Sequence, residues 1–356
     1  MTQQTRIDWE RPLRSGAVFN HSPGEVTLLD LSIGPNTYTR LRLVADDVSA
    51  DEDRQFRRLL PGASAKARHV SRHWEFGAPA RAIDEILCDP AAFAAGPRTR
   101  EHTRLRRAAV ARLALDFFKV ESRLPYSIIA LYHEFFRRLT KFLCERAVDY
   151  YDDDYFAKDV RYALGLTVPA GAAHVDLHSR IGPKLIGRDL LHTWSPATAF
   201  RYAASAGWGQ WYNEHLDLRW MKEFNPTGWT ACYARIVELL ELNPRIRGLA
   251  GVSWFYDPAV ASISPHLAYL REMPVQQGAF LVRMGTLPHD IGNATVRSPL
   301  RRRMYDEGRY QPTCYVLAWP RRRMIAWARN AEAGHGVAWP PRQGSAPAVA
   351  AGAYST

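Results

Sequence analysis

Between Leu249 and Trp327, three short apolar runs alternate with turns and one basic helix, and no other stretch restricts the fold as much. The first run, Leu249-Ala-Gly-Val-Ser-Trp-Phe-Tyr256, stops at Asp257-Pro258. The second, Ala279-Phe-Leu-Val-Arg-Met284, enters the segment Gly285-Thr-Leu-Pro-His-Asp-Ile-Gly-Asn-Ala294, which reads as a loop. The third is Cys314-Tyr-Val-Leu-Ala-Trp319. Short apolar runs bounded by Gly and Pro read as strands. Strands interleaved with helices imply an α/β or α+β protein, with a mixed sheet flanked by helices.

The rest of the chain divides around this stretch. Residues 1–60 form a poorly defined segment, in which Val26–Ser32 and Tyr38–Val44 can pair as strands across Gly34-Pro-Asn36. Residues 61–160 read as mainly helical. The clearest helix is Tyr126–Ala147, where Ile128, Leu131, Tyr132, Phe135, Phe136, Leu139, Phe142 and Leu143 recur at three- and four-residue steps behind Pro125. The acidic cluster Asp149–Tyr155 lacks the central Gly and closing Glu of a calcium loop, and reads as a turn. Residues 161–329 read as the mixed-sheet unit, with strands at Arg161–Val168 and Ala172–His178 and a mostly helical stretch over Pro196–Asn243. Residues 330–356 are rich in Ala, Gly and Pro and are expected to be disordered.

Composition narrows the classes. At 356 residues, 47% of them apolar, the chain can bury a sizeable core. The net charge of +11 comes mainly from Arg, whose fork suits phosphate and carboxylate groups. Such a surface can meet nucleic acid, an anionic membrane or a phosphorylated cofactor. Cys88, Cys144, Cys232 and Cys314 lie far apart and form no C-x-x-C pair, so a reducing cytoplasm is the expected compartment. The N-terminus has no apolar signal core, and no apolar run reaches the ~20 residues that span a bilayer.

Two constellations carry possible chemistry. On an alternating strand, His174, Asp176 and His178 project to one side and Val175 and Leu177 to the other. A His beside a carboxylate can act as a general base. His-x-Asp is also the start of the two-His-one-carboxylate site of non-haem iron oxygenases, which makes an iron oxygenase using His174 and Asp176 an alternative. The other constellation is His289-Asp290-Ile291-Gly292-Asn293-Ala294 after the second apolar run. A Gly-containing turn can aim backbone N–H groups at an anion, and Ser298-Pro299 opens a helix carrying Arg301, with Arg297 just before it. That arrangement suits a phosphate or pyrophosphate. The Arg-rich stretches Arg54–Arg72, Arg98–Arg112 and Arg301–Arg303 leave a non-catalytic nucleic-acid-binding protein as a further alternative, although no known nucleic-acid motif is legible.

The same segment resembles the GNAT acyltransferase superfamily over about residues 160–330. Its acyl-CoA loop reads Gln/Arg-x-x-Gly-x-Gly/Ala after a strand and leads into a helix. Here His289 stands in the first place, Gly292 in that of the first Gly and Ala294 in that of the last small residue. Tyr305-Asp-Glu-Gly-Arg-Tyr310 is similar to the family's Tyr before Gly-aromatic, with one extra residue. The resemblance implies a mixed sheet with helices on its faces. It also implies acyl transfer from acyl-CoA, as co-substrate, to a small amine or amino-acid-like acceptor, with no covalent enzyme intermediate and no metal. In that reading residues 289–294 hold the pyrophosphate with Arg297 and Arg301, His174 with Asp176 deprotonates the amine, and Tyr305 protonates the departing sulfur.

Overall fold

Several N-terminal helices bury one apolar face, whereas the helix Arg100–Asp116 is buried on all sides from Arg106 to Ala114. The computed structural model describes residues 31, 33–70, 76–87, 100–120, 122–145, 151–193, 196–216, 218–286 and 288–332. Helix α1 (Pro35–Ala45) starts at Pro35 and buries Leu41 and Ala45, one turn apart. Tyr38–Val44 is therefore helical and not a strand, and its expected partner Val26–Ser32 lies outside the described residues apart from Leu31. Helix α2 (Ala50–Val70) passes through Pro61, with Asp51, Glu52 and Asp53 in its first turn and Arg68 and His69 in its last. Then come α3 (Ala78–Leu87), α4 (Arg100–Asp116) and α5 (Tyr126–Cys144). The expected apolar face of α5 is buried through Ile128, Tyr132, Phe135, Phe136, Leu139 and Leu143. The described part of the acidic cluster, from Tyr151, opens a helix: the Asp152 carboxylate accepts the Asp154 N–H at 2.8 Å and caps α6 (Asp153–Ala163), while residues 149–150 lie outside the described residues.

The sheet follows. Its strands are β1 (Thr167–Pro169), β2 (Ala173–Ser179), β3 (Trp211–Leu216), β4 (Gly248–Ser253), β5 (Phe280–Gly285) and β6 (Cys314–Pro320), in the order β1-β2-β3-β4-β6-β5. Every neighbouring pair is antiparallel except β3 and β4, which are parallel. Helices α7 (Pro183–Thr193) and α8 (Pro196–Ala204) join β2 to β3, and α9 (Pro226–Leu242) is the crossover from β3 to β4. Short helices α10 (Val260–Ile263) and α11 (Tyr269–Gln276) precede β5; α12 (Pro288–Thr295) and α13 (Pro299–Asp306) separate β5 from β6; α14 (Arg321–Glu332) follows β6. The result is the expected α/β architecture, a mixed sheet between helices with a helical N-terminal region.

Three local expectations change. Arg161–Val168 is the end of α6 and only the start of a strand, and a strand, β3, lies inside the stretch read as helical. Gly285–Ala294 is not one long loop, because α12 begins at Pro288. By contrast, α13 starts and stops as its sequence indicates: Ser298 accepts the Arg301 N–H at 3.3 Å, and Gly308 takes a φ of +69°. Residues 333–356 lie outside the described residues.

Alternation along the strands sorts two apolar clusters. Trp211, Ala250, Val282, Val316 and Ala318 pack with Ile186 of α7 and Tyr202 of α8 on one face. Tyr212, Leu249, Leu317 and Trp319 face the other way, into a core that continues through Tyr233 and Trp327 to Tyr162, Phe136 and Leu41. Among the described residues no helix is long and apolar enough to cross a membrane.

Candidate functional site

Strand β2 does place His174 and Asp176 on one face, as its alternation requires, but both are buried there. Register sets His215 opposite His174 and pairs Asp176 with Thr167 of β1 and Asn213 of β3. The Asp176 carboxylate has its acceptor positions filled. Arg161 of α6 donates from Nε to Oδ1 at 3.0 Å and lies 3.0 Å from Oδ2, Thr167 donates its hydroxyl to Oδ1, and His215 Nε2 lies 2.9 Å from Oδ2. Burial pushes this carboxyl up, but the Arg161 and His215 charges and these hydrogen bonds outweigh it and hold Asp176 far below the usual carboxylate range. An ionised, fully bonded carboxylate anchors its neighbours and has little capacity left to orient a reacting base.

His174 has no exposed surface and lies among rings: Tyr162 at 5.6 Å and His215 at 5.5 Å, stacked at 21°. His178 sits at the edge of this group, 3.1 Å from the Gln210 amide. Among the described residues, no three His, Cys, Asp or Glu side chains group as a metal site requires.

The expected phosphate site is built differently from its reading. His289, Asp290, Ile291, Gly292, Asn293 and Ala294 are turns of helix α12. A Cβ on Gly292 would meet nothing within 4 Å, so no close approach at that position calls for glycine. Asp290 and Ala294 are buried, while Asn293 and Arg297 are exposed. Arg301 is an internal strut. Its Nε donates to the Ala294 carbonyl at 2.5 Å, its Nη1 donates to Ser264 Oγ at 2.7 Å, and its guanidinium lies 4.6 Å over the Trp254 ring. Arg301 is buried, and that burial lowers its pKa. Tyr305 is half-buried on α13, a helix that packs chiefly on α12. The predicted residues thus form two groups: His174 with Asp176 between the sheet and α6, and the rest on α12, α13 and their connection.

The Arg-rich segments are also partly internal. Arg106 is buried, donating to both oxygens of Asp84, to the Tyr151 carbonyl at 2.9 Å and to Asp153 at 2.8 Å. Arg112 donates to the Ala45 carbonyl at 2.8 Å and pairs with Asp53 at 2.7 Å.

A different group occupies the one place where parallel strands meet. Strands β3 and β4 pair at Tyr212↔Leu249, Asn213↔Ala250 and Glu214↔Gly251, and there their ladder ends. Beyond it, His215 and Leu216 stay with β2, while Val252 and Ser253 stay with β6. The sheet therefore parts into a wedge at the carboxyl ends of β3 and β4. In open α/β sheets ligands bind beyond the carboxyl ends of parallel strands.

Glu214 stands where the wedge begins. It points to the face opposite His215, toward α9, and is buried. Tyr256, in the turn after β4, donates its hydroxyl to Glu214 Oε1. Glu214 Oε2 is buried with no hydrogen-bond partner among the described residues, and so is the Tyr233 hydroxyl of α9. A Cβ at position 251 would lie 2.5 Å from Glu214 Oε1 and 2.7 Å from the Tyr256 oxygen, so glycine there makes room for the pair. Burial pushes the Glu214 carboxyl up to about 8, against the smaller opposing effect of the Tyr256 hydrogen bond. A buried carboxyl with a raised pKa and an orphaned oxygen is a candidate general base.

Helix α9 starts past the end of β3, so its positive end faces the wedge side of the sheet. Asn225 caps it by accepting the Gly228 N–H at 2.9 Å. A Cβ on Gly228 would fall 2.0 Å from the Glu223 carbonyl oxygen, so the turn closes only over glycine. This site is not legible from the sequence, where β3 falls within a stretch that reads as helical. The available signal was the alternation of Trp211, Asn213 and His215 with Tyr212, Glu214 and Leu216.

No known family's sequence profile matches the chain, and no curated protein matches it either. Two solved structures are similar to it in shape. One is an acyltransferase in complex with CoA and 10C-teicoplanin, at 13% identity and a TM-score of 0.43, covering 82% of this chain and 87% of that one. The other is an acyltransferase in complex with decanoyl-CoA and teicoplanin, at 14% identity, with the same TM-score and the same coverage. A likeness of this degree assigns neither family nor chemistry.

Proposed function

We propose that the chain transfers an acyl group from acyl-CoA to the amine of a small or amino-acid-like acceptor, with Glu214 as general base. The observation that carries this reading is the Glu214 carboxyl, raised to about 8 by burial where β3 and β4 part. The diverging strands leave backbone N–H and C=O groups facing each other across the wedge. An extended ligand with its own amides, such as the pantetheine arm of CoA, can bond to them in the manner of an added strand. The N-terminal end of α9, with Lys222 before it, suits the pyrophosphate. Residues 289–294 lie inside α12, whereas Lys222 and the glycine-bearing start of α9 follow the end of β3, so we assign the anion role to residues 222–228 instead.

The chemistry needs no covalent enzyme intermediate. An acceptor ammonium first loses one proton to solvent, and Glu214 takes a proton from the nitrogen of the neutral amine as it attacks. The amine nitrogen bonds to the thioester carbonyl carbon, the carbon–sulfur bond breaks, and the sulfur leaves as a thiol carrying a proton passed on from Glu214. Tyr256 holds the carboxyl in place. Glu214→Gln keeps the shape but cannot take the proton, and its kcat is expected to fall about 10²–10⁴-fold. The assay follows thiol release from acyl-CoAs of several chain lengths with a panel of amines, beside calorimetric titration with CoA. Glu214→Gln that binds CoA normally yet turns over slowly supports the proposal. A folded wild type that binds no acyl-CoA, or a variant with undiminished rate, defeats it.

A further inference from the structure

The end of the sheet away from Glu214 carries a concave site. A groove of about 860 Å³ lies at the start of β4, the start of β5, the end of β6 and the start of α14. Five arginines line it: Arg201, Arg247, Arg321, Arg322 and Arg323. No Asp or Glu does. Arg321 is spent on the fold, donating to the Leu240 and Asn243 carbonyls at the end of α9. The other four make no ion pair among the described residues, and all four are exposed. Glu241, just outside the lining, lies 3.9 Å from Arg329. Residues 333–356 contain no Asp or Glu that could neutralise the groove.

This charge pattern is unfavourable for the protein alone. Like charges in one groove repel. Arg321, Arg322 and Arg323 also form the first turn of α14, where the helix's own partial charge is positive and cations are disfavoured. An anion with several charges relieves both. Arginine forks match phosphate oxygens in pairs. The groove adds an aromatic face and amides: Phe200 is 74% exposed on its wall, and Gln276 and Gln277 line the same cavity. A flat base can stack on Phe200 while the phosphates lie among the arginines.

We infer that this groove binds a nucleotide, through adjacent phosphate groups on Arg201, Arg247, Arg322 and Arg323 and a base on Phe200. The nucleotide can be a free nucleoside triphosphate or part of a single strand of RNA; the chemistry is shared. The inference is independent of acyl transfer, and its probes contain no thiol, so either reading can fail alone.

The test titrates the full chain with ATP, inorganic tripolyphosphate and a short oligoadenylate at low and at moderate salt. Arg247→Ala/Arg322→Ala is compared with Arg302→Ala/Arg303→Ala, which removes the same charge from α13. The expected result is binding of ATP or of the oligoadenylate that weakens tenfold or more in the groove variant and changes less than twofold in the control. Phe200→Ala is expected to weaken the same ligand several-fold while leaving tripolyphosphate unaffected. The tighter of the two ligands identifies the source. The inference is overturned if neither nucleotide binds at low salt, if both double variants lose affinity alike, or if tripolyphosphate binds the wild type as tightly as ATP.

Discussion

At the scale of single residues, two buried carboxyls a few ångströms of sheet apart are driven in opposite directions. Asp176 meets a guanidinium, an imidazole and a hydroxyl, and stays ionised. Glu214 meets one tyrosine hydroxyl and apolar walls, and its carboxyl rises to about 8. The consequence is a pH profile. The basic form of Glu214 appears as pH passes about 8, so kcat/KM is expected to climb to a plateau there and to lose that limb in Glu214→Gln. A rate that is flat across about pH 6 to 9 in the wild type counts against the assignment. Stability runs the other way. An unfolded Glu titrates near ~4.3, so the folded state binds the extra proton between that value and the raised one. The Glu214 contribution is therefore complete below ~4.3 and is lost as pH rises through its folded value. In sequence, Asn213-Glu214-His215 resembles any polar surface triplet; only the fold turns the middle residue inward.

At the scale of elements, Asp176 shows why a motif and a site are different things. The alternation that put His174 and Asp176 on one face was legible, because a strand's period of two needs no tertiary information. What covers that face was not legible: α6 supplies Arg161 and β3 supplies His215. Asp176 thus joins β1, β2, β3 and α6. Asp176→Asn leaves Arg161 buried against a neutral amide, and unfolding by urea is expected to show a loss of about 3–5 kcal/mol. If Asp176 were instead part of the catalytic base, kcat would fall in the folded variant; here kcat is expected to hold near wild type under native conditions. Elements with strong local signals are legible in sequence: the apolar face of α5, the cap of α13, and the runs of β5 and β6. The failures share a cause. Strand β3 is six residues of mixed polarity between helices, and α12 holds a glycine and an asparagine that suggest a loop. An exposed helical glycine costs only about 1 kcal/mol, which packing of Asp290 and Ala294 can outweigh.

At the scale of the whole molecule, the helical region and the sheet share contacts that neither could keep alone. The Tyr132 hydroxyl of α5 donates to the Thr167 carbonyl of β1 at 2.7 Å. Arg161 of α6 lies 4.9 Å over the Phe76 ring and binds Asp176 of β2, and the Asn243 side chain at the end of α9 donates to the Arg123 carbonyl at 2.9 Å. One apolar cluster runs from Leu41 through Phe136 and Tyr162 to Trp229 and Trp327. Pulling the helices away would expose the Phe136 and Tyr162 side of that core and strand the Asp176 network in water on one side. Chains of this length often unfold domain by domain, but a shared core couples the halves. Nine of the eleven Trp residues lie from Trp194 onward, and Trp211, Trp229, Trp319 and Trp327 among them are buried beside the sheet, so their fluorescence reports on that half. Far-ultraviolet circular dichroism weights the helices, including the six described before β1. Urea transitions followed by the two signals are expected to coincide in midpoint and slope. Separate midpoints would mean that the helical region melts from the sheet as its own unit. Asp176→Asn sharpens the comparison: with a shared core it shifts both transitions together, whereas with independent halves the dichroism midpoint of the helices would stay where it was.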